Sequence, residues 1–209
     1  MKNIAIAKPG YPYIITALVI TLFFYTKASF LFLPFLFVTV FLAYFFRDPY
    51  RESPAGKNLV LAPADGRIIK IEKAYEPHFI KSETLKVSIF LSLFDVHVTR
   101  SPYGGIIPLC RYIPGGFIAA YKEEASSRNE RNLIGIETDR GKLLVVQVAG
   151  MVARRIVCWI KPGDKIERGE RIGMIKFGSC TELYIPSGIK LQVKEGDRVR
   201  GGETVLGEL

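Results

Sequence analysis

Residues 11–46 are almost wholly apolar, with Lys27 the only charge among them. From Arg47 onward the chain is an ordinary polar and apolar mixture rich in Gly and Val/Ile, so the sequence divides near Phe46/Arg47. Lys27-Ala28-Ser29 splits the apolar run into two arms, 11–26 and 30–46. As helices, at ~1.5 Å per residue, these arms span ~24–26 Å, slightly under the ~30 Å hydrocarbon core of a bilayer. No small-residue cleavage site follows the first arm and the apolar stretch continues, which argues against a secretory signal. The expected architecture is an N-terminal transmembrane helical hairpin, 1–46, followed by a soluble domain, 47–209. A re-entrant or interfacial hairpin is the alternative, and either one holds the soluble domain at a lipid surface.

Charge placement orients the hairpin. Lys2 and Lys8 precede the first arm, and Arg47, Arg51 and Lys57 follow the second. The positive-inside rule then puts both ends in the cytoplasm and the Lys27 turn outside, so the expected location is the cell membrane with a cytoplasmic soluble domain. The net charge of +9 suits nucleic acid or an anionic membrane surface. No RNA-type aromatic motif or zinc-finger spacing accompanies it. Beside a membrane segment, acidic lipid is the better partner, at roughly 1 kcal/mol per basic residue near the surface. Cys110, Cys158 and Cys180 are odd in number and form no C-x-x-C pair. They read as ordinary free thiols in a reducing compartment, with neither a metal site nor a disulfide framework.

Two stretches echo each other 33 residues apart, one beginning at Lys161 and the other at Lys194. Gly163/Gly196, Asp164/Asp197, Gly169/Gly202 and Glu170/Glu203 match, as do the apolar pairs Ile166/Val199 and Ile172/Val205. A Gly-Asp turn, a β-branched residue and a second Gly turn describe a hairpin used twice. The pattern resembles the biotinyl/lipoyl-type β-sandwich, whose exposed turn carries a modified lysine. Lys176 is the candidate there, although the Met-Lys-Met setting of carriers is absent. Short β-type runs at 59–62, 67–71, 85–93, 133–138, 143–148 and 155–160 predict a mainly β soluble part, with one short helix near 117–125.

Four segments carry groups suited to chemistry. Asp65 lies in the Asp65-Gly66 turn, a dipeptide that is also the commonest turn former. Asp95, His97 and Arg100 end a very apolar run, with His97 on the same face as Asp95 by alternation. Glu130-Arg131-Asn132 follows a polar loop and either grips a phosphate or carboxylate or is simply solvated. Phe177-Gly178-Ser179-Cys180 lies between the two repeats. The remaining histidine, His78, receives no role.

In this order, the Asp-Gly turn, Phe94-Asp95-Val96-His97-Val98, Glu130-Arg131-Asn132 and Phe177-Gly178-Ser179 resemble the short form of the phosphatidylserine decarboxylase proenzymes. The likeness spans nearly the whole chain, including Phe46-Arg47-Asp48-Pro49. It implies a membrane-bound lyase that cuts itself between Gly178 and Ser179, giving chains 1–178 and 179–209 that stay together as a heterodimer. Ser179 becomes a covalent pyruvoyl group, which forms a Schiff base with the amine of a serine phospholipid without pyridoxal phosphate. His97 is the implied base and acid, and Asp65 its orienting group. Arg100, Arg131, Arg154 and Arg155 are candidates to hold phosphodiester or carboxylate. The longer forms have a second histidine where this chain has Arg100, and Gly-Ser-Thr where it has Gly178-Ser179-Cys180. Either His97 serves both cleavage and decarboxylation or another group substitutes. Diacyl and archaeal ether lipids, a self-associated homo-oligomer, and a membrane-tethered carrier using Lys176 stay open at this level.

Overall fold

The computed structural model describes residues 4–27, 29–56, 58–119, 124–150 and 155–209, with Ser29 described by its backbone alone. Its contacts form two compact units, Met1–Tyr50 and Arg51–Leu209.

In the first unit, β1 (Ile4–Ile6) leads through a 3₁₀ turn into α1 (Tyr11–Lys27), followed by α2 (Ser29–Phe45) and β2 (Arg47–Pro49). β1 and β2 pair antiparallel from Ile4↔Pro49 to Ile6↔Arg47, so the open end of the helical hairpin is tied by backbone hydrogen bonds. Between the helices the Thr21 and Thr39 hydroxyls lie 2.9 Å apart, and Phe24 stacks on Phe35 at 4.8 Å. One threonine donates to the other, which in turn donates to a carbonyl of its own helix, Ala17 O or Phe35 O. Ile15, Val19, Leu22, Phe23, Phe30, Leu33, Phe37 and Val40 remain exposed. Apolar area costs about 25 cal/mol per Å² in water, so this surface suits lipid. The stretch Lys8–Lys27 is long and apolar enough to cross a membrane; Phe30–Phe45 is apolar but shorter.

The second unit is mainly β, as expected. Its elements are β3 (Leu59–Leu61), β4 (Gly66–Glu76), β5 (Ser82–Leu91), β6 (Val98–Arg100), β7 (Gly105–Ile113), α3 (Ala125–Arg128), β8 (Arg131–Thr138), β9 (Gly141–Ala149), β10 (Ile156–Cys158), β11 (Lys165–Ile166), β12 (Arg171–Ile175), β13 (Ser179–Pro186), β14 (Lys190–Leu191), β15 (Arg198–Val199) and β16 (Val205–Glu208). Eight strands form one antiparallel sheet in the order β11-β7-β8-β9-β13-β5-β4-β15. Two three-stranded sheets, β10-β12-β6 and β14-β16-β3, accompany it. Alternation sorts the large sheet into two faces. Val87, Ile89, Ile134, Ile136, Leu143, Val145, Leu183 and Ile185 line an inner face that packs with Val60, Ile172, Val199 and Leu206 into the main core. Leu133, Leu144, Val146, Val148 and Cys180 lie on the other face, under Phe79, Ile80 and Phe90.

The repeat is structural and wider than its sequence signal. Gly163 and Gly196 have φ of 95° and 91°, and Gly169 and Gly202 have φ of 78° and 77°. Asp164 and Asp197 each accept the backbone N–H three residues earlier at 2.9 Å. Each arm docks on an equivalent partner. Ile107 N donates to Asp164 O and Ile68 N to Asp197 O, both at 2.9 Å; Gly163 N returns to Ile107 O and Gly196 N to Ile68 O, both at 2.8 Å. Thus Ala62-Pro63-Ala64-Asp65-Gly66-Arg67-Ile68 is the counterpart of Ser101-Pro102-Tyr103-Gly104-Gly105-Ile106-Ile107. The two segments also hydrogen-bond each other, Leu61 N to Pro102 O and Arg100 N to Pro63 O.

Two expectations are corrected. The short helix is at Ala125–Arg128, and 117–119 is not helical, because the Asn129 amide pairs with both the N–H and the C=O of Ile118; residues 120–123 of that expected helix lie outside the described residues. The segment after Lys176 is not the tip of a hairpin, since β12 and β13 belong to different sheets. The cysteines are free thiols, as expected, and the sulfurs of Cys110 and Cys158 lie 3.1 Å apart.

Close backbone approach fixes one position in each half of the repeat. A Cβ on Gly66 (φ 151°) would lie 2.2 Å from Phe90 O, and one on Gly105 would lie 2.3 Å from Glu137 O. Gly66→Ala is expected to destabilise the protein by roughly 2–4 kcal/mol in denaturant titration, whereas Gly188→Ala, in open space, should stay within about 0.5 kcal/mol.

Candidate active site

The inner face of the large sheet is apolar along most of its length and turns polar at one end. Ser179 begins β13 and pairs with Ala149 on β9 and Leu91 on β5. Cys180, Val148 and Phe90 point to the outer face, so Ser179, Thr181, Gln147 and Asn132 point inward. Asn132 donates to Gln147 Oε1 at 3.1 Å, and Gln147 Nε2 reaches the second sheet to donate to Thr99 Oγ1 at 2.9 Å. Gly173 leaves room for that amide, since a Cβ there would lie 2.9 Å from Gln147 Nε2. Ser179 is fully buried, and among the described residues its hydroxyl makes no hydrogen bond. A buried polar atom left in this way marks either strain or chemistry.

Strain is present beside it. Phe177 (φ 61°) and Gly178 (φ 67°) are consecutive left-handed residues immediately before Ser179. For a side-chain-bearing residue such as Phe177 this conformation costs about 1–2 kcal/mol. The chain leaves β12 and enters β13 within 176–178, and this short crossover forces the turn. It is anchored where Ile175 N donates to His97 O and Lys176 N to Arg155 O, both at 3.2 Å.

His97 is fully buried. Its Nδ1 lies 3.0 Å from Asp95 O, a contact that needs a proton on Nδ1, which leaves Nε2 as the basic nitrogen of the neutral ring. The Asp95 carboxylate shapes the preceding turn, accepting from Ser92 N at 2.8 Å and Ser92 Oγ at 2.6 Å. Asp65 does not reach the imidazole. Its carboxylate accepts from Arg51 Nη2 at 2.7 Å and Gly201 N at 2.8 Å, and Arg51 also bridges to Glu203 at 2.7 Å. The contact on Nδ1 therefore comes from the Asp95 carbonyl, because both Asp65 oxygens are engaged at the junction of the repeat.

The arginines separate. Arg100 is buried and donates to Gly169 O at 3.0 Å, at the heart of the repeat. Arg131 shares the outer face with Val148 and Cys180, opposite to Ser179, and donates to the Ser126 and Ser127 carbonyls at the end of α3. Arg155 is exposed, and its carbonyl accepts from the crossover. Arg154 lies outside the described residues. Lys176 is half-buried within the crossover.

Within the Glu130-Arg131-Asn132 motif, the sequence does not single out Glu130. It is 6% exposed, its carbonyl accepts Ala149 N at 2.9 Å, and it therefore shares the row Glu130-Ala149-Ser179 on the inner face. The signal was the alternation Glu130, Asn132 against Ser179, Thr181: polar residues at the ends of strands whose remaining inward positions are apolar.

Burial raises the pKa of Asp65 above its ordinary value of 3.8, against the opposing pull of Arg51. A raised carboxyl contributes stability that is full below its unfolded value and is lost as pH rises through the folded one. Removing Arg51 carries that loss further up the pH scale. Arg51→Met should destabilise by roughly 3 kcal/mol near neutral pH and by less near pH ~4, with Asp65→Asn restoring part of it in the double variant. Denaturant titrations at the two pH values check this.

Comparison with known proteins places the site in context. Residues 38–207 match the family model described as phosphatidylserine decarboxylase. The phosphatidylserine decarboxylase proenzyme of Burkholderia multivorans is 44% identical over 206 residues, covering 98% of this chain and 96% of that protein. The proenzyme of the same name from Symbiobacterium thermophilum is 43% identical over 212 residues, covering 100% and 98%. That from Syntrophus aciditrophicus is 43% identical over 206 residues, covering 97% and 96%.

Proposed function

The chain belongs to the phosphatidylserine decarboxylase family and is a carboxy-lyase, and we propose that it opens its own backbone at Gly178–Ser179 to generate a pyruvoyl group that decarboxylates phosphatidylserine. The observation that carries the reading is the buried, unbonded Ser179 hydroxyl behind two left-handed residues.

Maturation follows from these atoms. Ser179 Oγ attacks the Gly178 carbonyl carbon, the C–N bond breaks, and an ester replaces the amide. Loss of the Ser179 α-proton with C–O cleavage frees the Gly178 carboxylate and leaves dehydroalanine, and hydrolysis releases ammonia to give the ketone. His97 Nε2 is the base for the first step, its tautomer held by the Asp95 carbonyl. Left-handed Phe177 raises the energy of the intact turn, so cleavage relieves strain that the folded sheets impose.

The site suits such a group: in the row from Glu130 to Ser179 the neighbour of the serine position on β9 is Ala149, which carries only a methyl. Once formed, the ketone supplies the electron sink for breaking the Cα–carboxylate bond. The chain's own groups bind and move protons. His97 returns a proton to the carbon that lost carbon dioxide, and Arg155 at the exposed rim of the crossover attracts phosphodiester. Arg100, turned to Gly169 O, leaves both proton-transfer steps to His97.

The apolar hairpin anchors the enzyme, and its flanking lysines and arginines put the catalytic unit on the cytoplasmic, anionic face of the membrane. The two fragments remain a heterodimer. The names of the relatives point to the diacyl lipid; an ether-linked serine lipid shares its head group, and parallel assays of the two decide between them.

Intact mass of the purified protein is expected to show fragments 1–178 and 179–209, the latter blocked at its N-terminus. Ser179→Ala should remain one inactive chain, and His97→Ala should slow processing by about 10²-fold or more. An intact but active wild-type chain refutes the reading.

A further inference from the structure

The two thiols brought together between β7 and β10 have no part in this chemistry. Cys110 sits on β7 opposite Ile134, Cys158 sits on β10 opposite Gly173, and their sulfurs are 3.1 Å apart. A disulfide is ~2.05 Å long, so closing the bond requires about 1 Å of sulfur movement. Both side chains are half-buried, whereas Cys180 is buried on the outer face of the sheet. We infer that Cys110 and Cys158 form a reversible disulfide site, oxidised by a hydroperoxide, that staples the large sheet to the β10-β12-β6 sheet.

The chemistry of the pair supports this assignment. The close contact between the two sulfurs, in which either thiol can be the donor, lowers the pKa of Cys158 and raises that of Cys110. Cys158, the thiol whose pKa is lowered, is the nucleophile and Cys110 the resolving thiol. Cys158 sulfur attacks the terminal peroxide oxygen, the O–O bond breaks, and an alcohol or water leaves, giving the sulfenic acid. Cys110 sulfur then attacks Cys158 sulfur, the S–O bond breaks, and water leaves with the Cys110 proton. Two thiols have lost two electrons to one peroxide. In a reducing compartment such a bond is transient and reports oxidant exposure.

Its position gives it reach. Cys110 Sγ also lies 4.0 Å from Asn132 Oδ1, the first member of the Asn132–Gln147–Thr99 chain behind Ser179. β10 pairs with β12, which leads directly into the crossover.

The test uses the full-length protein in detergent, reduced and then exposed to hydrogen peroxide, with alkylation by iodoacetamide and peptide mapping. A Cys110–Cys158 crosslinked peptide is expected, reversed by dithiothreitol and still formed in Cys180→Ala. Before oxidation, Cys158 should alkylate at least about tenfold faster than Cys180. In Cys110→Ser, a dimedone adduct should accumulate on Cys158 instead. Trp159, the chain's one tryptophan, adjoins Cys158 and offers a fluorescence readout of the same event. Absence of the crosslink in the wild type, with Cys158 stopping at the dimedone adduct or unmodified, overturns the proposal. So does a crosslink that requires Cys180.

Discussion

The antiparallel pairing of β13 between β5 and β9 is the constraint on which the rest of the molecule depends. It fixes Ser179 in a row with Ala149 and Leu91, and it fixes which face each neighbour presents. It also forces the chain to pass from one sheet to another within 176–178, and the left-handed geometry of Phe177 is the cost of that passage. The strain is therefore a product of sheet topology rather than of the local sequence. A free peptide of the same residues has no reason to adopt it.

Around this strand the fold separates stability from chemistry by sheet face and by sheet end. Inward positions far from Ser179 are Val, Ile and Leu, and those near it are Glu130, Asn132, Gln147 and Thr181. The buried amides are satisfied by one another and by Thr99, so this part of the polar end is ordered by neutral hydrogen bonds. Asp65 belongs to another system. It ties Arg51 to the backbone of Gly201 and, with the Arg51–Glu203 bridge, fastens the second arm of the repeat to the Ala62–Ile68 segment.

Much of this was legible in the residues, for identifiable reasons. The hairpin was readable because 11–46 contains only one charge, and the second repeat arm because its glycines and aspartates do the same geometric work in both copies. β7 escaped because Pro108 interrupts it, at an irregularity in its pairing with β8 between Ile106 and Leu109. The partner half of the repeat escaped because only Pro, Gly and Ile are shared between Ala62–Ile68 and Ser101–Ile107. Ser179 and His97 were readable through resemblance to a family. Their neighbours Glu130 and Gln147 were not, because face and row are properties of pairing that a linear sequence does not contain. The same holds for Arg51 with Asp65 and for Cys110 with Cys158: each pair joins residues that only the tertiary fold makes adjacent.

The pairing of β13, β15 and β16 has a consequence for what the molecule can survive. These strands lie after Gly178, yet they bond to β5, β9, β4 and β3, which all lie before it. With the backbone open at that point, the short piece is threaded through the architecture of the long one, and releasing it means dismantling the central sheet. Reassembly from separated pieces becomes a bimolecular search at high dilution rather than the collapse of one chain. Cut there as proposed, the protein would fold once, from an uninterrupted precursor, and its later persistence would be governed by an unfolding rate instead of an equilibrium.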